Sequence, residues 1–563
     1  MQRTRSHRGA LRVLAGAAAT ALLLSGCSLL DAGGDGDQPG GGSKGSGSSS
    51  ASDGASAGSS AGASGDGSTP PLAELGTSHA KDLPGDPAES SDYAEYYDQH
   101  ADWGTCDQGV RDEAAIPGLE CASVKVPRAW DDPGAEDVEI AMVRLPATGD
   151  PKGTLMTNPG GPGNSGVDFL AENGDYLFNQ EVRRNYDLVS FDPRGVSRSE
   201  GVRCLDDEQT DEYRADTFDG GTPEGLTKSL DWMEKISDAC EKNSGDLLPY
   251  LDTYSAARDM DVLRAAVGDD SLNYMGFSYG TYLGSIYADL YPDRVGRFVL
   301  DGAMEPSLTA DELVAGQAEG FQKATESFAK FCTEREDCPM ESSSPKQATS
   351  ELSDLLDSIS DEPLPTTDPD RPLTGALAAA GMQMTLYSND YWSLGVDALK
   401  DAKNGDGTAL LALADLSAGR QDDGSYKGND LFAINAVNCL DRPGVKDLDW
   451  QKKESKRLLK EYPAAGMTDY SQAMCDLWPV KPLREPAPVH AEGSGEIVVV
   501  GTTRDPATPY AWSKKLAKEL DNASLITFDG DGHTAYGRSG GCVEQAVNAY
   551  LIDGTSPQKG LTC

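Results

Sequence analysis

From about Tyr93 onward, short apolar runs alternate with stretches of helical spacing. Thr154-Leu155-Met156-Thr157 is a strand-length run halted by Asn158-Pro159-Gly160-Gly161-Pro162-Gly163, which reads as a strand ending in a tight turn. Residues 186–191 form a second buried-strand pattern, closed by Asp192-Pro193-Arg194-Gly195. Met260, Leu263 and Val267 recur at helical spacing, with Gly268 placed to stop that helix. Further strands are predicted at 272–275, 296–300, 496–500 and 523–528, and a helix at 281–291. Strands alternating with helices predict a mostly parallel sheet with helices on both faces.

Between Gly302 and about Ala487 the strand pattern lapses. Leu410-Leu411-Ala412-Leu413 and residues 450–459 read as helical, so this block is expected to be a mainly helical cap over the sheet's carboxyl edge. Removing it joins 93–302 to 488–563 as one catalytic unit of ordinary size. The expected organisation is a leader at 1–27, a tether at 28–92, a core at 93–302 and 488–563, and a cap at 303–487.

Composition narrows the function. The 563 residues carry 48 Lys+Arg against 92 Asp+Glu, a formal net charge of -44. Such a surface cannot displace phosphate counterions, which excludes nucleic acid as a partner, and it disfavours docking on anionic lipid. Residues 31–71 are almost wholly Gly, Ser, Ala and Asp and cannot bury enough surface to offset chain entropy. Ahead of them, Arg3, Arg5, Arg8 and Arg12 precede an apolar run at 14–24, too short for a stable bilayer span. The run ends in Leu24-Ser25-Gly26-Cys27, which resembles the lipobox of bacterial lipoproteins. That resemblance implies cleavage before Cys27, a diacylglycerol on its thiol and a place on the outer face of the membrane, with some release. About forty flexible residues would then give a root-mean-square reach of ~35 Å. Setting Cys27 aside leaves ten of the 11 cysteines, an even number that reads as disulfides in an exported chain. Pairing of sequence neighbours is the expectation, because each bond then closes a short loop. No Cys-x-x-Cys occurs, so zinc and thioredoxin-like readings fall away.

The chemistry is concentrated in Gly276-Phe277-Ser278-Tyr279-Gly280, a Gly-x-Ser-x-Gly sequence lying between a predicted strand and a predicted helix. A serine hydroxyl is a weak nucleophile and needs a base and an orienting acid. In this class of fold they follow the serine in the order acid, then histidine. His79 and His100 precede Ser278, and His490 lies at the wrong end of a strand, which leaves His533 in the loop after the last one. Asp505, in the loop after the preceding strand, is the expected acid; Asp529 and Asp531 are too close to His533 to orient it. The oxyanion donors are expected to be the backbone N–H of Tyr279 and that of Gly161. The loop 161–166 also fits Gly-x-Gly-x-x-Gly with Asp192 ending the next strand, a dinucleotide-site pattern, but Pro162 removes a donor there.

The Asn158–Gly166 loop, Phe191-Asp192-Pro193-Arg194-Gly195, Gly276–Gly284 and Gly501–Pro509 together resemble the exported tripeptidyl aminopeptidases of actinobacteria. These are relatives of prolyl iminopeptidases within the α/β-hydrolase fold. The resemblance spans about 93–563 and departs from the usual run at Asn164, where the family more often has Gly. It implies hydrolysis of peptides from a free N-terminus by Ser278, Asp505 and His533, with no metal or cofactor. Thr508 matches a family Thr near the acid, where it would hold that carboxylate or its loop. Carboxylates of the cap would meet the substrate's ammonium, with Glu305 and Asp441 as candidates. An esterase or thioesterase on the same triad is the alternative, and a non-catalytic binding lipoprotein is a third reading. Oligomeric state is left open.

Overall fold

The computed structural model describes residues 83 and 85–563, apart from 108–109, 111–115, 219–221, 445–447, 466–470 and 483. The leader, Cys27 and the tether up to residue 82 lie outside the described residues.

Among the described residues nine strands form one sheet: β1 (Gly104–Thr105), β2 (Glu120–Pro127), β3 (Asp137–Leu145), β4 (Thr154–Asn158), β5 (Asp187–Phe191), β6 (Leu272–Phe277), β7 (Val295–Asp301), β8 (Ile497–Arg504) and β9 (Ala523–Asp531). Their spatial order is β1-β2-β3-β5-β4-β6-β7-β8-β9. The six strands from β5 to β9 in that order run parallel, and β1, β2 and β3 extend the sheet antiparallel. The six parallel strands are those expected from the apolar runs. The antiparallel three were not anticipated.

The parallel strands read as continuous apolar runs because both of their faces are covered. Along β8, Ile497, Val498, Val499 and Val500 are all buried, and successive side chains enter opposite layers. Val499 joins Val189, Tyr274, Phe298 and the helices Thr253–Ala266 and Tyr279–Leu290 on one face. Val498 joins Leu155, Leu188, Met275 and the helices Gly166–Leu177 and Cys542–Asp553 on the other. By contrast β2 and β3 alternate, with Val124, Val126, Val138 and Ile140 buried and Ser123, Lys125 and Glu139 outside.

Between β7 and β8, eight α-helices fall among the described residues, from Ala310–Thr333 to Ser471–Leu477. Most share a core of their own built on Phe321, Phe328, Leu377, Leu399 and Leu410. The helix Asp430–Asp441 behaves differently: its Phe432, Ala436, Cys439 and Leu440 pack into the sheet-side core. This helix therefore ties the helical block to the sheet.

The ten described cysteines pair as sequence neighbours: Cys106–Cys121, Cys204–Cys240, Cys332–Cys338, Cys439–Cys475 and Cys542–Cys563. Arg194, just past β5, is a buried structural cation. It meets Asp259 through two bonds of 2.7 and 2.6 Å and donates to the carbonyls of Arg128, Tyr250 and Pro127 at 2.9–3.0 Å.

Candidate active site

Ser278 ends β6 and starts the helix Tyr279–Leu290, with φ 55° and ψ -124°. Non-glycine residues rarely adopt such a conformation, so the surroundings must hold it. Ser278 N–H donates to the Asp301 carbonyl at 3.0 Å, and Thr281 N–H donates to Ser278 O at 2.9 Å. The flanking glycines are required by close approach. A β-carbon on Gly276 would lie 2.3 Å from the Gly280 carbonyl oxygen, and one on Gly280 would lie 2.7 Å from that of Asn158. Ser278 itself is 5% exposed, at the floor of its surroundings.

His533 and Asp505 arrive from the loops after β9 and β8, and the structure brings them together. His533 Nδ1 lies 2.8 and 3.0 Å from the two Asp505 oxygens. Those oxygens also accept the N–H groups of Ala507 (3.0 Å), Thr508 (2.8 Å) and Thr534 (3.1 Å). With Nδ1 donating to the carboxylate, Nε2 is the acceptor of the ring. It is buried and has no protein partner among the described residues. Thr508 contributes its N–H to Asp505, while its hydroxyl stands 3.3 Å from His533 Nδ1.

Three supports had no signal in the sequence. Asp301, at the end of β7, accepts the N–H groups of Ala535 and Tyr536 at 2.7–3.1 Å, which fixes the loop carrying His533. Burial lifts its carboxyl to about 6, against the pull of those N–H groups. Tyr387, the last residue of the helix Gly375–Tyr387, accepts His533 N–H at 2.7 Å and sets its ring edge against the imidazole. Arg538 donates to the carbonyls of His533 (2.9 Å) and Asp531 (2.8 Å). Each contact joins segments far apart in sequence or depends on the fold of the loop, so no spacing reveals it.

The loop after β4 lies against the nucleophile. Asn158 Oδ1 accepts Gly160 N–H at 2.9 Å, and a β-carbon on Gly160 would stand 3.0 Å from both Ser278 Cβ and Tyr279 N. This places Gly160, the residue before Gly161, beside the first turn of the helix Tyr279–Leu290, whose leading N–H groups have no intrahelical acceptor. Ser165 caps the next helix by accepting Asp168 N–H at 3.0 Å and donates to Asp192 at 2.6 Å. Asp192 also accepts Val167 and Arg198 N–H at 3.1 Å and is fully buried. Its carboxylate cannot reach a ribose, so the dinucleotide pattern here is a structural turn.

The other sequence candidates have internal partners. Glu305 is buried and bonded to Lys515 Nζ (2.8 Å) and Ser307 N–H (2.8 Å). Burial works to raise its carboxyl, but these partners hold it below its ordinary range. Asp441 accepts Thr253 N–H at 3.0 Å and the Thr253 hydroxyl, which in turn lies 2.6 Å from the Tyr279 hydroxyl. Burial first, and the neighbouring Asp252 second, push Asp441 up to about 6. Both carboxylates therefore already have partners within the fold. Asp529 and Asp531 pair with Arg504 at 2.7 and 2.8 Å, and the His490 side chain is 62% exposed.

A serine on a strand-to-helix elbow, a carboxylate-held imidazole at the neighbouring strand ends and a glycine loop beside the elbow define a serine hydrolase of the α/β-hydrolase fold. Comparison with known proteins agrees. The model of the family described as TAP-like protein matches residues 462–563. The chain is 37% identical over 479 residues to the serine protease Hip1 of Mycobacterium tuberculosis, covering 83% of this chain and 91% of that one. It is likewise 37% identical over 468 residues to a protein of the same organism named carboxylesterase B, covering 82% and 89%. The tripeptidyl aminopeptidase of Streptomyces lividans is 28% identical over 480 residues, covering 82% and 86%. The chain belongs to this family of serine hydrolases, which unites Hip1 and the tripeptidyl aminopeptidases.

Proposed function

We propose that this protein is a cell-surface serine exopeptidase that releases short fragments from peptides with a free N-terminus. The reading is carried by the pairing of the Ser278, Asp505 and His533 arrangement with relatives named as a serine protease and as tripeptidyl aminopeptidases. Ser278 Oγ attacks the scissile carbonyl while His533 Nε2 takes its proton. Asp505 keeps Nδ1–H in place and stabilises the imidazolium, and the Gly161 and Tyr279 N–H groups receive the oxyanion. His533 then returns the proton to the leaving amine, and water frees the acyl-enzyme through the same base.

A free N-terminus needs a carboxylate at a fixed distance from the nucleophile. Three extended residues span about 10 Å. Gly163, in the loop that carries Gly160 and Gly161, packs on the start of the cap helix Asp430–Asp441, where a β-carbon on it would lie 3.2 Å from Asp430 Cα. Asp430 opens the helix Asp430–Asp441 and keeps part of its surface open, and no lysine or arginine pairs with it among the described residues. Burial lifts its carboxyl to about 6, against the pull of its own backbone N–H and the Arg214 charge. Asp430 is therefore the carboxylate we assign to the substrate ammonium, ahead of Glu305 and Asp441, whose carboxylates already have partners within the fold.

Export and anchoring rest on the basic and apolar leader and on Leu24-Ser25-Gly26-Cys27. The ten later cysteines pair among themselves and leave Cys27 for the lipid. An esterase on the same triad is the second reading, favoured by the relative named carboxylesterase B. A chromogenic tripeptide and its N-acetylated twin decide between them. An exopeptidase cleaves only the free peptide, whereas turnover of simple esters with neither peptide cleaved supports the esterase.

A further inference from the structure

The turn that carries Gly161 also holds a buried donor with nothing to bond. Asn164 N–H donates to Gly160 O at 3.4 Å, which closes the loop on itself. The closure folds residue 164 back over the glycine pair. Its carboxamide carbon lies 3.5 Å, and its backbone nitrogen 3.1 Å, from the point where a β-carbon on Gly161 would stand. Gly160 lies in turn against Ser278 Cβ and Tyr279 N. Asn164 Nδ2 is buried, and among the described residues no acceptor bonds it. Leaving such a donor unpaired costs about as much as a hydrogen bond is worth, so folding alone does not favour it. His533 Nε2 is likewise buried and unpartnered among the described residues.

We propose that the Asn164 side-chain amide is a third donor to the oxyanion, beside the Gly161 and Tyr279 N–H groups. As Ser278 Oγ bonds to the carbonyl carbon, the C=O π pair moves onto oxygen and a full negative charge develops there. A preorganised donor in a buried site favours that charge over the neutral ground state. The growing anion also selects the amide orientation, because the carboxamide oxygen turned inward would oppose it. Backbone N–H groups are present whatever residue occupies position 164, whereas this donor depends on Asn and is lost with Gly. The charge appears only as the tetrahedral state forms, so the effect falls on kcat rather than KM.

The test uses Asn164→Ala and Asn164→Asp in the disulfide-bonded full chain, assayed on an activated ester and on a free tripeptide. The Ala variant is expected to lose roughly 10²-fold in kcat, with KM and melting temperature close to wild type. Its affinity for a peptide boronic acid, whose tetrahedral adduct places an oxygen where the oxyanion forms, should fall by the same factor as kcat/KM. The Asp variant should be slower still, since its carboxylate faces the developing charge. A kcat for Asn164→Ala within about threefold of wild type overturns the proposal. So does a loss confined to KM, or a loss of kcat with boronate affinity intact. The inference rests on Ser278 as nucleophile but not on the acyl group. The ester therefore reports on Asn164 even if no peptide is cleaved, an outcome that would count against the exopeptidase reading alone.

Discussion

Replacing Asp505 by Asn separates the orienting role of the carboxylate from its place in the fold. Oδ1 accepts Ala507 N–H, Thr508 N–H and His533 Nδ1, whereas Oδ2 accepts only Thr534 N–H and the same ring nitrogen. The amide introduced by Asp505→Asn would therefore turn its NH₂ toward the Oδ2 position, where it opposes a single backbone donor. Losing that one bond costs about 1.5–3 kcal/mol, which shifts the melting temperature of a chain this size by a few degrees. Catalysis suffers far more. The neutral amide no longer stabilises the imidazolium, and its NH₂ at the Oδ2 position competes for Nδ1 and feeds the tautomer with Nε2 protonated, which cannot take the serine proton. The loss expected in a comparable triad is about 10⁴ in kcat, or about 5 kcal/mol of transition-state stabilisation. Steady-state kinetics at pH 7–8 and a thermal melt on the same preparation read both quantities. A variant within tenfold of wild type, or one that fails to fold, would refute this account of Asp505.

The ammonium role predicts that Asp430→Asn raises KM for the free tripeptide at least tenfold and leaves ester turnover within twofold. Because the Asp430 carboxyl is lifted to about 6, it protonates as pH falls through that value. Wild-type KM for the free tripeptide should therefore rise below pH 6, a trend the Asn variant should lack. Arg194→Met strands the buried Asp259 charge and should destabilise the protein by about 3–5 kcal/mol in denaturant titration, with activity per folded molecule kept. Cys27→Ala should abolish incorporation of labelled fatty acid and move the protein from the membrane fraction to the medium. Continued labelling would contradict the lipobox reading.

Legibility in the sequence followed burial. Strands covered on both faces, such as β8 with its Ile497-Val498-Val499-Val500 run, announce themselves because every position is apolar. β2 and β3 face solvent on one side, and Ser123, Lys125 and Glu139 dilute their apolar signal. The positions of Ser278, Asp505 and His533 relative to the sheet were legible because each directly follows a strand, where chain order alone constrains partners. What holds them was not legible. Tyr387 and Asp301 reach the His533 loop across about 150 and 230 residues, through contacts that only packing of the helical block and the sheet creates. The same limit hid the partner of Glu305: its place just past β7 points to the sheet edge, but its ion pair with Lys515 spans 210 residues.

The proposed activity requires Ser278 to attack peptides held by a free N-terminus. The most direct measurement compares hydrolysis of a chromogenic tripeptide and its N-acetylated twin by wild type and Ser278→Ala. Cleavage of the free peptide alone is expected, with a loss on the order of 10⁶-fold in the variant. Equal cleavage of both peptides by wild type, or near wild-type activity in Ser278→Ala, would contradict it.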